Sequence, residues 1–396
     1  MSQNIADFRS GRPFGDGTDG DLSISANTTF GAGTSCSGTS GTTTLTIAAA
    51  GSFADNDLVL IHHSRGTTGN TGGWEVNRIA SGGGTTSLTL SGNLANTYTD
   101  SGADQSQVVR LLEYNDVTVD SGKTWSVPDW GGNTGGILAF AARGTTTITG
   151  NISANERGYD GGAAVAGDES SGATGYQGEG TAGTGSQATA ANNGGGGGGQ
   201  GNYDKSHFAG GGAGGGHSAA GAVGGTAVGS PPSTPGTAGS AIGDSADLTT
   251  ASFGAGGGAG GSDWHDETVS GAGGNGSGLI FIFAKDITIT GTMPTNGENG
   301  ENGGAGSAGG GGGAGGAILI KAGTAVLGSG LLTATNGTGG TGGNGGDRTG
   351  NGGIGADGRI RCDYGTSVSG TTSPTLSSAQ DTGLTETDGG MLMNLL

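Results

Sequence analysis

Side chains able to do chemistry are few in this chain, and they come in short clusters. Gly201–Phe208 (GNYDKSHF) supplies Tyr203, Asp204, Lys205, His207 and Phe208. Ser262–Glu267 (SDWHDE) supplies Trp264, His265 and Asp266, and Arg157–Asp160 (RGYD) supplies Tyr159, with Tyr176 following. Aromatic rings give large contact area for little lost entropy, which suits recognition of a sugar or a protein loop. The competing role is to cap the scaffold and cover its end. Asp16-Gly-Thr-Asp-Gly-Asp places oxygen ligands at positions 1, 4 and 6, a calcium-like spacing that lacks EF-hand order and a closing Glu, so a turn before a strand is expected. His62 and His63 are adjacent on an apolar strand, so they point to opposite faces, one packed and one exposed, and cannot chelate one ion together. Runs such as Gly210–Gly216 satisfy GxGxxG trivially but precede no helix, so they make no phosphate cradle. No Ser/His/Asp set and no carboxylate pair stands out. The reading is a non-enzyme with no catalytic residue, no metal site and no cofactor.

Glycine dominates what must position these residues. It fills 99 of 396 positions, 19 in residues 1–130 and 69 in residues 158–358. Lys and Arg total 14 against 33 Asp and Glu, a formal charge of -19, which argues against nucleic acid as a partner. No stretch of about 18 apolar residues exists, so membrane insertion is not expected. The opening residues lack the basic-then-apolar pattern of a secretory signal, which points to synthesis in a cytoplasm without export by the general route. Cys36 and Cys362 lie 326 positions apart and read as free thiols.

Short strands are expected at Asp21–Ala26, Thr42–Ile47, Asp57–His63, Trp74–Ile79, Thr85–Leu90 and Gln107–Leu112, each apolar or alternating with period two. A repeat follows: a buried apolar strand, a turn, an alternating strand, a turn, then a glycine run. Copies begin at Gly135, Ser277 and Gly315, with a truncated fourth at Ala356–Tyr364. Equivalent glycines (Gly136, Gly278, Gly316, Gly358) are spaced by 142, 38 and 42, one solenoid coil per later copy and a long insertion in the first. The glycine runs are either flexible linkers or extended threefold helices of the polyglycine II kind, which must pack side by side because they bond nothing internally. Collagen is excluded, since the glycines keep no strict third-residue period along the region and only four prolines fall in 158–358.

The expected fold is therefore all-β: an N-terminal small β-barrel or sandwich module, then a strand-repeat solenoid with packed polyglycine helices. The expected division is 1–51 (N-terminal strands and attachment), 52–114 (barrel), 115–364 (glycine-rich repeat and bundle) and 365–396 (a Ser/Thr-rich tail ending GGMLMNLL).

Glycine runs alternating with single strands over roughly 135–364, most clearly 254–358, resemble the glycine-rich adhesins at the distal tips of T-even-type phage tail fibres. That resemblance implies a flat bundle of polyglycine helices whose end loops touch the host receptor. It departs from the family at the N-terminus, where a barrel stands in place of the fibre-attachment domain. The implied protein is a virion component, assembled in the host cytoplasm and exposed on the particle surface. Its implied partners are a host cell-surface receptor or glycan, other virion tail proteins and copies of itself as a homo-oligomer. The receptor-binding residues implied are Tyr159, Tyr176, Tyr203, Lys205, His207, Phe208, Trp264 and His265. Rival readings are a self-assembling filament or surface-layer subunit, an ice-binding protein, which needs a regular Thr or Ala array, and a sugar-cleaving depolymerase.

Overall fold

A computed structural model describes residues 13–31, 33–51, 53–67, 70–167, 171–201, 208–227, 232–242, 244–263, 268–343 and 348–385. With strands numbered along the chain, one large parallel sheet runs β1 (Leu22–Ile24), β10 (Val117–Val119), β12 (Ile137–Ile148), β14 (Leu279–Ile289), β16 (Ala317–Thr333), β17 (Arg359–Ser373), β18 (Ser377–Gln380). Short β9 (Leu112–Tyr114) and β15 (Met293–Pro294) join it beside β12 and β16. A second parallel sheet holds β2 (Thr28–Thr29), β11 (Thr124–Ser126) and β13 (Asn151–Ser153). The remaining strands, β3 (Thr34–Ser37), β4 (Thr44–Ile47), β5 (Leu58–Arg65), β6 (Trp74–Ser81), β7 (Ser87–Leu90) and β8 (Gln105–Arg110), close an antiparallel barrel in the order β3-β4-β7-β6-β5-β8.

The repeat spacings reappear as strand register. Ile137 pairs Leu279, Leu279 pairs Ala317 and Ala317 pairs Arg359. The apolar half of each strand is buried on both faces, as parallel strands covered on two sides must be. Leu138, Phe140, Ile280, Ile282, Ile318 and Ile320 face a core that also holds Trp125 and Ile152 of the second sheet. The alternate residues Ala139, Ala141, Phe281, Phe283 and Leu319 face the barrel residues Leu58, Leu60, Trp74 and Val76. Past a bulge between Ala142 and Thr145 the barrel no longer covers the sheet, and β12 alternates buried with exposed. The change from apolar run to alternation marks where the barrel stops.

Three boundaries differ from expectation. The barrel spans Thr34–Arg110 rather than 52–114, because β3 and β4 supply the pairings to β8 and β7 that close it. Residues 1–51 are thus not one unit: β1 and β2 extend the two parallel sheets. The fourth repeat is not truncated, since β17 continues to Ser373 and β18 adds a further strand, so the sheet extends to Gln380. Residues 389–396 lie outside the described residues. His62 and His63 do point apart, but neither is exposed: both imidazoles are buried, because the bundle covers the outer face of β5 as fully as the barrel fills the inner one.

The glycine segments are ordered and buried. Along 254–261 successive backbone N–H groups donate to Ser277, Gly216, Glu179, Gly274, Ala213, Tyr176, Gly271 and Gly210. Three neighbouring segments are thus visited in rotation, each every third residue. The carbonyls of the same segment accept from three others, through Tyr159 and Gly162, Gly196 and Gly199, and Gly311 and Ala314. Every direction around the segment is occupied by backbone, so a Cβ on Gly258 would be driven into the Gly197 carbonyl and one on Gly311 into that of Ala213. At the edge only one direction in three is closed. In Thr295–Gly303 (TNGENGENG) Gly297, Gly300 and Gly303 face the neighbour, and the positions between carry side chains. Asn296, Asn299 and Asn302 each accept through Oδ1 from the backbone N–H and the hydroxyl of Thr335, Thr338 and Thr341, at 2.8–3.0 Å.

Close backbone approach sets the expected cost of added carbon. Gly258→Ala is expected to destabilise the fold by about 1–3 kcal/mol, the usual range for overpacking. Gly92→Ala, whose new Cβ meets nothing nearer than 3.7 Å, is expected to stay within about 0.5 kcal/mol of wild type in denaturant unfolding. Asn299→Ala removes two hydrogen bonds and is expected to cost about 1–3 kcal/mol in the same assay.

Candidate functional site

Each glycine segment that climbs into a strand is preceded by one that descends from another element, so the chain reverses repeatedly at the end of the bundle away from the sheets. The described flanks of six reversals lie there: 166–167 with 171–173, 201 with 208, 227 with 232–234, 262–263 with 268–269, 303–308, and 342–343 with 348–349. Their flanks are joined to one another. Ala166 bridges Val269, Ala173 bridges Ser262 and Ala209 bridges Thr349. Ser262 Oγ accepts from Gly167 N–H at 2.6 Å, and the Thr268 hydroxyl bonds the Ala305 carbonyl and lies 2.9 Å from Ser307 Oγ. Ser307 Oγ donates to Thr268 O at 3.0 Å, while Gly343 N–H donates to Ser307 O at 3.0 Å. Thr234 N–H donates to Gln200 Oε1 at 3.0 Å, tying in the 227–234 reversal. Small hydroxyl residues thus act as staples where the glycine packing ends. Asp263 sits fully buried under this surface, beside Gly306, while Val269 and Arg348 stand exposed on it.

The expected site residues divide into three groups. Phe208, half-buried, follows directly on the 201–208 reversal and precedes the Ala209–Thr349 bridge. Tyr203, Lys205 and His207, with Asp204, and Trp264 and His265, with Asp266, lie outside the described residues. The described residues that flank both segments, Gly201 and Phe208, Asp263 and Thr268, are at this end. Tyr176 is elsewhere. It is 37% exposed on the flank of the bundle, bridged to Gln187, with its carbonyl accepting from Ala259.

Tyr159 is a correction. It is completely buried at the opposite end, seven residues before the Ala166 bridge, or roughly 20 Å of extended chain. Its hydroxyl donates to the Ser64 carbonyl at 2.6 Å, and its ring packs edge-on to Phe253 and Trp130. Burial, then the nearby Glu179, holds the phenol well above its ordinary pKa. The residue joins barrel to bundle and offers no surface to a receptor. The neighbouring Glu179 accepts from Arg65 at 2.6 Å, Trp130 Nε1 at 3.1 Å and Asp160 N–H at 3.1 Å, reinforcing the same seam.

The Ser and Thr staples and the Asn–Thr ladder escaped the sequence reading. The signal was present in the local threefold spacing of NGENGENG and TNGTGGTGG, which is hidden when glycine is counted over the whole region. The Asp16–Asp21 segment forms a turn, with Asp16 Oδ1 accepting from Thr18 and Asp19 paired with Arg110. Among the described residues no group of three or more His, Cys, Asp or Glu could hold a metal ion, and no helix is long and apolar enough to cross a membrane. Cys36 and Cys362 are free and buried.

No family model matches the chain, and no curated protein matches it. Among solved structures it aligns with the Gp54 tailspike of Acinetobacter baumannii bacteriophage AP22, solved with A. baumannii capsular saccharide. Identity there is 12% over 33% of this chain and 24% of that one, at a TM-score of 0.19. The tailspike gp61 of Pseudomonas phage phi297 aligns at 20% identity over 35% of this chain and 25% of that one, at a TM-score of 0.18. The alignments span about a quarter of each tailspike, and similarity at this level carries no argument about this chain.

Tyr159→Phe is expected to cost about 1 kcal/mol in thermal unfolding, the worth of a buried hydrogen bond. It should leave any binding to cells unaltered in a pull-down, which separates its structural place from a role in recognition.

Proposed function

We propose that this chain is a virion structural protein of the tail-fibre or adhesin type, which binds a host cell-surface receptor or glycan through loops at one end of a polyglycine bundle. The observation that carries the reading is the convergence of six chain reversals at the end of the bundle away from the sheets. In the sequence, the aromatic and ionisable segments 203–208 and 264–266 connect two pairs of the flanks that converge there. Rigid scaffolds that present loops at one end are the common architecture of recognition surfaces. We read the glycine segments as left-handed threefold helices with about 3.1 Å rise. Donors that rotate among three neighbours with a period of three residues support this. The barrel, packed on the flank of the large sheet, is the part left to meet neighbouring tail proteins or further copies of the chain. The particle surface is the location this function requires.

Binding alone, without cleavage, is part of the proposal. Of the rivals, the ice-binding reading meets one regular row, Thr335, Thr338 and Thr341, but those hydroxyls are donated sideways to asparagines. That leaves a ladder that stitches two segments together rather than a broad array.

The test is retention of the purified chain on bacterial cells and on their isolated capsular polysaccharides, across a panel of strains. Replacing residues 203–207 and 264–267 with Gly/Ser of equal length is expected to abolish retention while the unfolding midpoint stays put. Retention by the replaced chain would place recognition elsewhere. New reducing ends released from any polysaccharide would overturn the non-enzymatic part.

A further inference from the structure

The Asp244–Phe253 segment passes between barrel and bundle, and two imidazoles grip consecutive carbonyls of it from opposite sides. His62 of the barrel places Nε2 at 2.7 Å from Ala251 O, and His217 of the bundle places Nε2 at 3.0 Å from Ser252 O. Both rings are fully buried, as are Leu248, Ala251, Ser252 and Phe253. Trp74 Nε1 donates to Leu248 O at 3.0 Å and Ala251 N–H to Gly72 O at 2.9 Å, so the segment is fastened to the barrel at several points.

A hydrogen-bond chain completes itself with His62 neutral. Gly135 N–H donates to Gln107 Oε1 at 3.0 Å, which fixes the amide orientation. Gln107 Nε2 therefore donates to Ser64 Oγ, at 2.8 Å. Ser64 in turn gives its proton to His62 Nδ1, at 2.8 Å, leaving the His62 hydrogen on Nε2 to hold Ala251. A proton on Nδ1 would make Ser64 Oγ accept from both His62 and Gln107 and turn the Ser64 hydroxyl hydrogen away from its only acceptor on this path. The positive charge would sit among Phe253 and Phe281, with ring centroids at 5.7 and 6.5 Å. The charged groups nearby are the Arg65–Glu179 pair in the seam and His63, on the opposite face of β5, 3.8 Å from Asp104.

His217 repeats the arrangement. Asp244 Oδ2 lies 3.4 Å from its Nε2, but that carboxylate is already engaged by the Ser252 N–H and hydroxyl at 2.6 and 2.9 Å. Its buried Nδ1 has no hydrogen-bond partner among the described residues, and Arg359 opposes a positive charge there.

We propose that the Asp244–Phe253 segment is an acid-sensitive latch, closed by neutral His62 and His217 and loosened from barrel and bundle when they take up protons. Burial lowers both imidazoles, His62 to about 4 from 6.5, against the weaker opposing pull of the carbonyl on His62 and of Asp244 on His217. The open state therefore binds more protons than the closed state as pH falls from 6.5 toward 4. Closure is fully present above 6.5 and is weakened by up to about tenfold per pH unit per histidine below it.

Hydrogen exchange of the full chain at pH 7 and pH 5, corrected for intrinsic rates, tests this. The peptide covering 244–253 is expected to lose at least about tenfold more protection than the 309–316 segment, and the double variant His62→Gln/His217→Gln to lose no more there than in 309–316. An equal loss throughout the chain, or the same selective loss in the double variant, overturns the latch. If the double variant does not fold, imidazole ¹⁵N titration of the wild type decides: two rings still neutral at pH 5 support it, and fewer than two overturn it.

Discussion

Everything in this molecule rests on backbone meeting backbone at a distance that a single Cβ would prevent. A glycine segment held by main-chain hydrogen bonds gains about 0.5–1.5 kcal/mol per bond, with a further 0.5–1 from each Cα–H···O contact, against about 1–2 kcal/mol per residue of lost backbone entropy. The sum is close to zero per residue. A bundle built only this way would be marginal, so it needs a conventional core to hold its ends in register. The parallel sheets supply it: Leu138, Phe140, Ile280, Ile282, Ile318 and Ile320 form a continuous apolar face from which the glycine segments hang. The barrel closes the other face of the same sheet.

This division of labour explains the distribution of residue types. Segments surrounded on all sides tolerate only Gly and the occasional Ala. Segments at the edge keep glycine at every third position and fill the rest with Asn, Thr and Glu, which bond along the edge. Segments that enter the sheet become Ile, Leu and Phe. Several of the large polar side chains inside the molecule, Arg65, Glu179, Gln107, His62 and His217, lie at or beside the seam where barrel, sheet and bundle meet. Directional bonds are concentrated where three differently packed parts must be kept in one arrangement.

Much of this was legible in the sequence. The apolar-run-then-alternation pattern located β12, β14 and β16, and the spacing of Gly136, Gly278, Gly316 and Gly358 matched the strand register to the residue. What was missed has physical reasons. Closure of the barrel by Thr34–Ser37 depends on partners 70 residues away, which periodicity does not encode. The full length of β17 was hidden because its distal half, SVSGTTS, is polar and half-exposed and gains its strand form from β16. Tyr159 lies in a short aromatic stretch of sequence like those at 203–208 and 264–266, and only the burial of its neighbours marks it as a seam residue. Phe208, half-buried, adjoins the Ala209–Thr349 bridge, since a large ring cannot enter the glycine packing.

The staples at the bundle's end have a consequence for how such a protein changes. Ser262, Thr268 and Ser307 bond the loop flanks through hydroxyls and main chain. Between those staples a reversal can change its chemistry while the hydroxyl bonds that close the scaffold are kept. The end of the bundle is then an interchangeable surface, open to combinatorial libraries in the laboratory and to rapid diversification in nature, while a single methyl group a few residues deeper is excluded.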